Sequence, residues 1–152
     1  MKKILLILAV LFCSTASLKA NSNVEHDILY LRGITELEAA CQKINNTIFS
    51  MDFAINRLSI HTIDRKHKKN YDLLDSHLLQ YYSAQKLVMQ YKEYYPVLEN
   101  FIKELIATGV FTQDEITFFN TKLTSIKKSQ DLAEKTLDLY KNTILAYEKR
   151  KR

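Results

Sequence analysis

The sequence predicts an all-α fold, an elongated antiparallel three-helix bundle of coiled-coil character whose second helix is kinked or split at Pro96. Three observations carry that expectation. Among 152 residues there are only two glycines and one proline, too few for a turn-rich sandwich or barrel. Apolar residues recur at alternating spacings of three and four over long stretches, the period-3.5 signature of helices that pack along a seam. No stretch alternates with period two as a half-buried strand would. The length fits one domain with a real core, and 11% aromatic content argues against wholesale disorder.

The first element in chain order is an address. Lys2 and Lys3 precede nine uninterrupted apolar residues, Ile4 to Phe12, and then the small and polar Ser14, Thr15, Ala16 and Ser17. This is the layout of a secretory signal peptide over residues 1–20, cut after Ala20 with Leu18 and Ala20 in the peptidase pockets, or second after Ala16 with Ser14 and Ala16 there. The apolar run is far short of the roughly 20 residues that span a bilayer. Phe12 is too bulky for the position before an acylated cysteine, which argues against a lipoprotein through Cys13. Removal of residues 1–20 takes three lysines and no acid, so the net charge falls from +5 to +2. It also leaves Cys41 as the single cysteine, so no intrachain disulfide follows, even in an oxidising compartment. The expected location is periplasmic or secreted.

Residues 21–33 read as a mobile lead or short helix ended at Gly33, and residues 34–152 as the bundle domain. The first long helix shows the seam Ile34, Leu37, Cys41, Ile44, Ile48, Met51, Ile55, Leu58, Thr62. Cys41 serves there as a small apolar knob, with pairing between chains as the alternative. Residues 64–70 hold Arg65, Lys66, His67, Lys68 and Lys69 and are read as a turn with Asn70 as N-cap, a continuous helix being the alternative. The second helix begins near Tyr71 and uses Leu74, Leu78, Tyr81, Gln85 and Val88. Pro96 either kinks it or starts a short separate helix, Val97 to Ala107, capped by Gly109. The third helix opens on a capping box, Thr112 and Glu115, with Phe111 positioned to staple onto Ile116. Its seam runs Ile116, Phe119, Leu123, Ile126, Gln130, Ala133, Leu137, Tyr140, Ile144, Tyr147.

Residue patterns that carry chemistry are few. His26, His61, His67 and His77 show no metal-ligand spacing, and neither HExxH nor CxxC occurs; all four are expected to be solvated. No Gly-rich phosphate loop or GxSxG elbow exists. The acidic neighbours Asp114/Glu115 and Glu36/Glu38 do not face each other on a helix, and the first pair suits a helix N-terminus. A non-enzyme without metal, cofactor or small-molecule substrate is expected. Two features stand out. The second helix carries Tyr71, Tyr81, Tyr82, Tyr91, Tyr94 and Tyr95, more than a thin core can bury with every hydroxyl satisfied, so Tyr91, Tyr94 and Tyr95 are candidates for a protein interface. Arg65, Lys66, Lys68 and Lys69 fall at the same end of an up-down-up bundle as Lys149, Arg150, Lys151 and Arg152. Together they are candidates for a basic patch with weak affinity for anionic lipid or nucleic acid, the terminal run also serving the helix dipole.

The stretch Gly109-Val110-Phe111-Thr112-Gln113-Asp114-Glu115-Ile116, followed by the Leu123 to Tyr147 seam, resembles the C-terminal half of periplasmic conjugative-transfer proteins of Bacteroidetes elements. It is also similar to the helical minor-pilus subunits of type IV secretion systems, and the Tyr91 to Tyr95 segment fits those chains. The resemblance covers the last third to half of the chain, which is shorter than those proteins. It implies a structural or adaptor role in DNA-transfer or secretion machinery, with envelope or secretion-system proteins as partners and no catalytic residues to carry over. Periplasmic helical-hairpin chaperones offer a second comparison, but they have a strand-built body and this sequence has no strand segment. The function expected is therefore an exported helical interaction or adaptor protein, with self-association as an option. The alternatives are a holdase chaperone or anionic-surface binder, and an inhibitor or immunity-type protein.

Overall fold

The computed structural model describes residues 2–63 and 71–149, with side chains described from residue 23 onward. Three helices make up the fold: α1 Lys2–Ile63, α2 Tyr71–Ala107 and α3 Gln113–Glu148. Their contacts fix the directions. His26 and Tyr30 of α1 meet Glu115 and Phe119 near the start of α3, so α1 and α3 run parallel. Tyr94 of α2 reaches Glu36 and Tyr91 reaches Lys43 of α1, and His77 of α2 meets Tyr140 of α3, so α2 runs antiparallel to both. The architecture is a three-helix bundle of up-down-up order, as the periodicity predicts, and at 1.5 Å per residue α2 and α3 each reach about 55 Å.

Most of the α3 seam is buried as its spacing requires, from Phe119, Leu123 and Ile126 through Gln130 and Ala133 to Tyr140, Ile144 and Tyr147; Ile116 and Leu137 are half-buried. The expected start also forms. The Thr112 hydroxyl accepts from the Glu115 amide at 3.3 Å, and Glu115 Oε2 accepts from the Thr112 amide at 2.8 Å, so two otherwise orphaned amides are satisfied. Phe111, the residue before the cap, is buried, and Ile116 packs on the same core. Before the cap, Gly109 adopts φ +73° and donates to Ile106 O at 3.1 Å, the left-handed closure that ends α2 at little steric cost.

One boundary differs from expectation. Gly33 does not end a helix: α1 passes straight through it, and residues 23–33 add Leu29 and Tyr30 to the core rather than forming a mobile lead. The glycine is there for closeness, since a Cβ at position 33 would lie 3.0 Å from two ring carbons of Phe119 and 3.2 Å from a methyl of Leu105. Of the two alternatives expected at Pro96, a kink or a split, the split does not occur. Val97 to Ala107 continues the same helix, with Pro96 on its exposed side, where the Lys92 carbonyl that loses its i+4 donor can face water. Among the described residues, no helix is long and apolar enough to cross a membrane.

Candidate functional site

The two seams of α1 are built from different residues. Leu37, Ile44, Met51 and Leu58 recur every seven residues and are fully buried, which closes the core. A second stripe with the same repeat, Ala40, Thr47 and Ala54, is made of small side chains. Facing it, α2 presents His77, Ala84, Tyr91 and Leu98, again seven apart. The small side chains of this α1 stripe, met by only one small residue on α2, Ala84, leave volume unfilled between helices whose axes stay about 8–10 Å apart. An open groove results between α1 and α2, in two adjoining lobes.

The first lobe has a volume of about 740 Å³. Met51, Ala54 and Ala84 lie in its floor, and Phe49, Phe53 and Leu79 stand on its walls. Those three wall residues are 73%, 64% and 70% exposed, unusually high for large apolar side chains lying close together. Lys43 and Arg57 are the charged residues of this lobe, and no carboxylate lines it. The second lobe, about 720 Å³, lies over Ala39, Ala40 and Ile44 and carries Glu36 and Glu93 as well as Lys43. Lys43, Leu87 and Tyr91 belong to both lobes. Tyr91 forms the divide: its hydroxyl donates to Lys43 O at 3.1 Å and pairs with the Thr47 hydroxyl at 3.0 Å.

Under the first lobe sits a polar cluster. His77 is only 2% exposed, and its Nδ1 lies 2.8 Å from the Tyr140 hydroxyl. That hydroxyl is also 3.2 Å from His77 O and 3.3 Å from Gln80 Oε1. Burial, reinforced by Arg57 and His61, holds His77 below the ordinary imidazole range, while burial pushes Tyr140 up to about 12. Both groups are therefore neutral near pH 7. They hydrogen-bond α2 to α3 beneath the groove and carry no charge into it.

The sequence-selected residues fall into place unevenly. Tyr91, Tyr94 and Tyr95 do stand together along the second lobe, but their hydroxyls are engaged within the chain. Tyr94 donates to Glu36 at 3.0 Å and Tyr95 to Leu123 O at 3.5 Å, with the Lys127 ammonium 5.4 Å from the Tyr95 ring centre. They fasten α2 to both neighbours and present ring faces to the groove. The expectation that all histidines are solvated fails at His77, because the phenol of Tyr140 supplies the partner that burial demands. It also fails in part at His26, which is bridged to Asp27 and Glu115 at 3.1 Å each. Cys41 is half-buried on its seam and accepts weakly from Asn45 Nδ2 at 3.5 Å. Of the basic-patch candidates, Lys149 is exposed and caps α3 through its backbone; Arg65, Lys66, Lys68, Lys69, Arg150, Lys151 and Arg152 lie outside the described residues, as do the turn at 64–70 with Asn70 and His67. The side chains of residues 1–20, expected to be a signal peptide, Cys13 included, also lie outside them.

Phe49, Phe53 and Leu79 were not singled out from sequence. The signal that finds them is the small stripe Ala40, Thr47, Ala54: large residues beside a seam of small ones are left without a wall to pack on. Among the described residues, no three His, Cys, Asp or Glu side chains converge to hold a metal. Compared with family models, with curated proteins and with solved structures, the chain matches none.

Proposed function

We propose that this chain is an exported, non-enzymatic helical interaction protein whose docking face is the α1–α2 groove. One observation carries this reading: Phe49, Phe53 and Leu79 stand exposed around a groove floored by Ala40, Thr47, Ala54 and Ala84, with cations along one lobe and carboxylates in the other. An apolar patch bounded by charge is the composition of a protein-binding surface. A groove between two helices accepts the apolar face of a third in the manner of helix-in-groove recognition. Tyr91, Tyr94 and Tyr95 keep a part in this reading as ring faces along the second lobe, rather than as free hydroxyl anchors.

The export reading rests on the charge and apolar pattern of residues 1–20, and it places the partner in the cell envelope. The resemblance to conjugative-transfer and type IV secretion components gives that partner its first candidates. The test is a photo-crosslinking amino acid at Leu79, with Leu132 as control; Leu132 is comparably exposed but lies on α3. In cells, protein adducts are expected from position 79 and few or none from 132. Adducts from 132 alone, or equal adducts from both, refute the assignment of the groove.

A further inference from the structure

The two lobes of the groove are complementary to each other. The first is cationic at its far end through Arg57 and is walled by bulky Phe49 and Phe53. The second is anionic through Glu36 and Glu93 and is floored by the small Ala39 and Ala40. They meet at Lys43, Leu87 and Tyr91. A surface that carries a feature and its complement on either side of a midpoint is what a two-fold axis requires, because each half then meets the other half of its copy.

The spacings agree. Arg57 lies ten and a half residues beyond the midpoint between Asn46 and Thr47, and Glu36 lies ten and a half before it. In an antiparallel pairing of α1 with its copy, Arg57 of each chain therefore stands over Glu36 of the other, with Glu93 on the opposite wall of the same lobe. Phe53 and Ala40 are likewise equidistant from that midpoint, at six and a half residues on either side. The exposed ring of one chain thus lies level with Ala40 of the other, which lines the second lobe. Lys43 falls opposite Ser50 rather than opposite a second cation. A pairing centred on Ser50 instead would set Lys43 against Arg57, like against like, and would leave Glu36 unmatched.

The dimensions are also adequate. From Glu36 to Arg57 the helix rises about 32 Å, and two helices side by side are about 20 Å wide. About 650 Å² per chain would be covered, which falls within the range of specific interfaces.

We infer that the α1–α2 groove is closed by a second copy of this chain, packed antiparallel about a two-fold axis that crosses α1 between Asn46 and Thr47. The inference rests on the groove being the docking face and names its occupant. The pairing uses surfaces that the bundle leaves uncovered, so neither chain has to rearrange on binding.

Sedimentation equilibrium of the purified chain over a wide concentration range gives the first measurement, and a reversible species of twice the chain mass is expected. Arg57→Glu should weaken it by about tenfold or more in Kd, by opposing Glu36 with a like charge twice per dimer. The double variant Glu36→Arg/Arg57→Glu restores opposite charges in the same register and should recover most of that loss. In a Cys13→Ser/Cys41→Ser background, Asn46→Cys should be joined to its copy by a short bismaleimide, while Lys128→Cys on α3 should not. Circular dichroism on each variant checks that the bundle is intact; Asn46, Phe53 and Arg57 are exposed, while Glu36 is half-buried and accepts from Tyr94. A wild-type chain that stays monomeric at every concentration overturns the inference. So does a dimer indifferent to both Arg57→Glu and Phe53→Asp, because it uses another face. If the chain is monomeric while position 79 still yields adducts that Phe53→Asp abolishes, the groove takes a different protein and only the self-pairing falls. If position 79 yields no adducts either, both readings fall.

Discussion

Replacing Tyr140 by Phe removes a single oxygen, yet it should cost the fold about 2 kcal/mol. The phenol is 1% exposed and His77 is 2% exposed, so no water replaces the lost group at His77 Nδ1, now 2.8 Å from the hydroxyl. A buried polar atom stripped of its partner costs about 1–3 kcal/mol. The His77 carbonyl and Gln80 lose less, since the hydroxyl has one proton to give and both sit farther away, at 3.2 and 3.3 Å. Ring packing against Tyr81, with centroids 6.0 Å apart, is kept by Phe. For a chain of this length, 2 kcal/mol corresponds to a fall of about 4–8 °C in Tm, measurable by calorimetry or by circular dichroism at 222 nm. Tyr94→Phe is the matched control: its hydroxyl also makes one interhelical bond, to Glu36, but at an exposed rim, where the expected change is within about 0.5 kcal/mol. A Tyr140→Phe loss no larger than the control's would refute the argument that the His77 cluster is desolvated and satisfied only by this phenol.

Other perturbations test other parts of the fold. Gly33→Ala gains about 1 kcal/mol of helix propensity but sets a methyl 3.0 Å from the fully buried Phe119 ring; overpacking costs of about 1–3 kcal/mol should win, giving a net loss of Tm. Gly109→Ala meets nothing within 4 Å and should still destabilise by about 1–2 kcal/mol, because φ +73° is left-handed. Gln130 is 1% exposed and its Oε1 has no partner among the described residues, so Gln130→Met should raise stability by about 1 kcal/mol or more in a denaturant titration. Stability should also peak near pH 6.5. His26 is raised above that ordinary value by Asp27 and then Glu115, so its contribution is complete below pH 6.5 and is lost as pH rises through the folded value. His77 is lowered, chiefly by burial, so the folded state loses ground as pH falls below 6.5. Chemical denaturation across pH 5–9 should show both limbs, and His26→Ala should flatten the alkaline one alone.

How much of this could be read from the chain depends on where each signal is stored. The third helix was legible almost throughout, with Ile116 and Leu137 half-buried and Thr136 buried beside the seam as its departures, since Thr112, Glu115 and a seam of large apolar side chains are local features that need no knowledge of the partner. The second helix was legible only as a helix. Leu78, Tyr81 and Gln85 were expected on its seam and are half-buried, while His77 and Ala84 form the buried line. Apolar residues all round α2, among them Leu79, Tyr82, Leu87 and Met89, blur the phase of any hydrophobic count. A histidine enters a core only when another element supplies its hydrogen bond, and Tyr140 lies 63 positions away. Gly33 misled for a related reason. A glycine that breaks a helix and one that admits a neighbouring ring look alike until the ring is placed.

The same distinction bears on the interface. Six tyrosines on one helix suggested that α2 supplies the anchors for a partner, on the ground that a thin core cannot satisfy so many hydroxyls. The hydroxyls of Tyr91, Tyr94 and Tyr95 are satisfied nonetheless, at the edges of the core rather than within it, by a threonine hydroxyl, a carboxylate and two helix carbonyls. Each bond ties α2 to a neighbour along a seam whose packing is thin, because Ala40, Thr47, Ala54 and Ala84 fill so little of it. The tyrosines and the small residues are thus two halves of one arrangement. Small side chains leave the groove open, and long side chains with polar tips hold its walls at a fixed separation. What the first lobe leaves exposed is apolar, Phe49 and Phe53 on α1 with Leu79 on α2, side chains that have no hydroxyl to spend inside the chain. An interface built on these residues should respond to Phe53→Asp and barely at all to Tyr94→Phe, since the first removes surface offered outward and the second a bond turned inward.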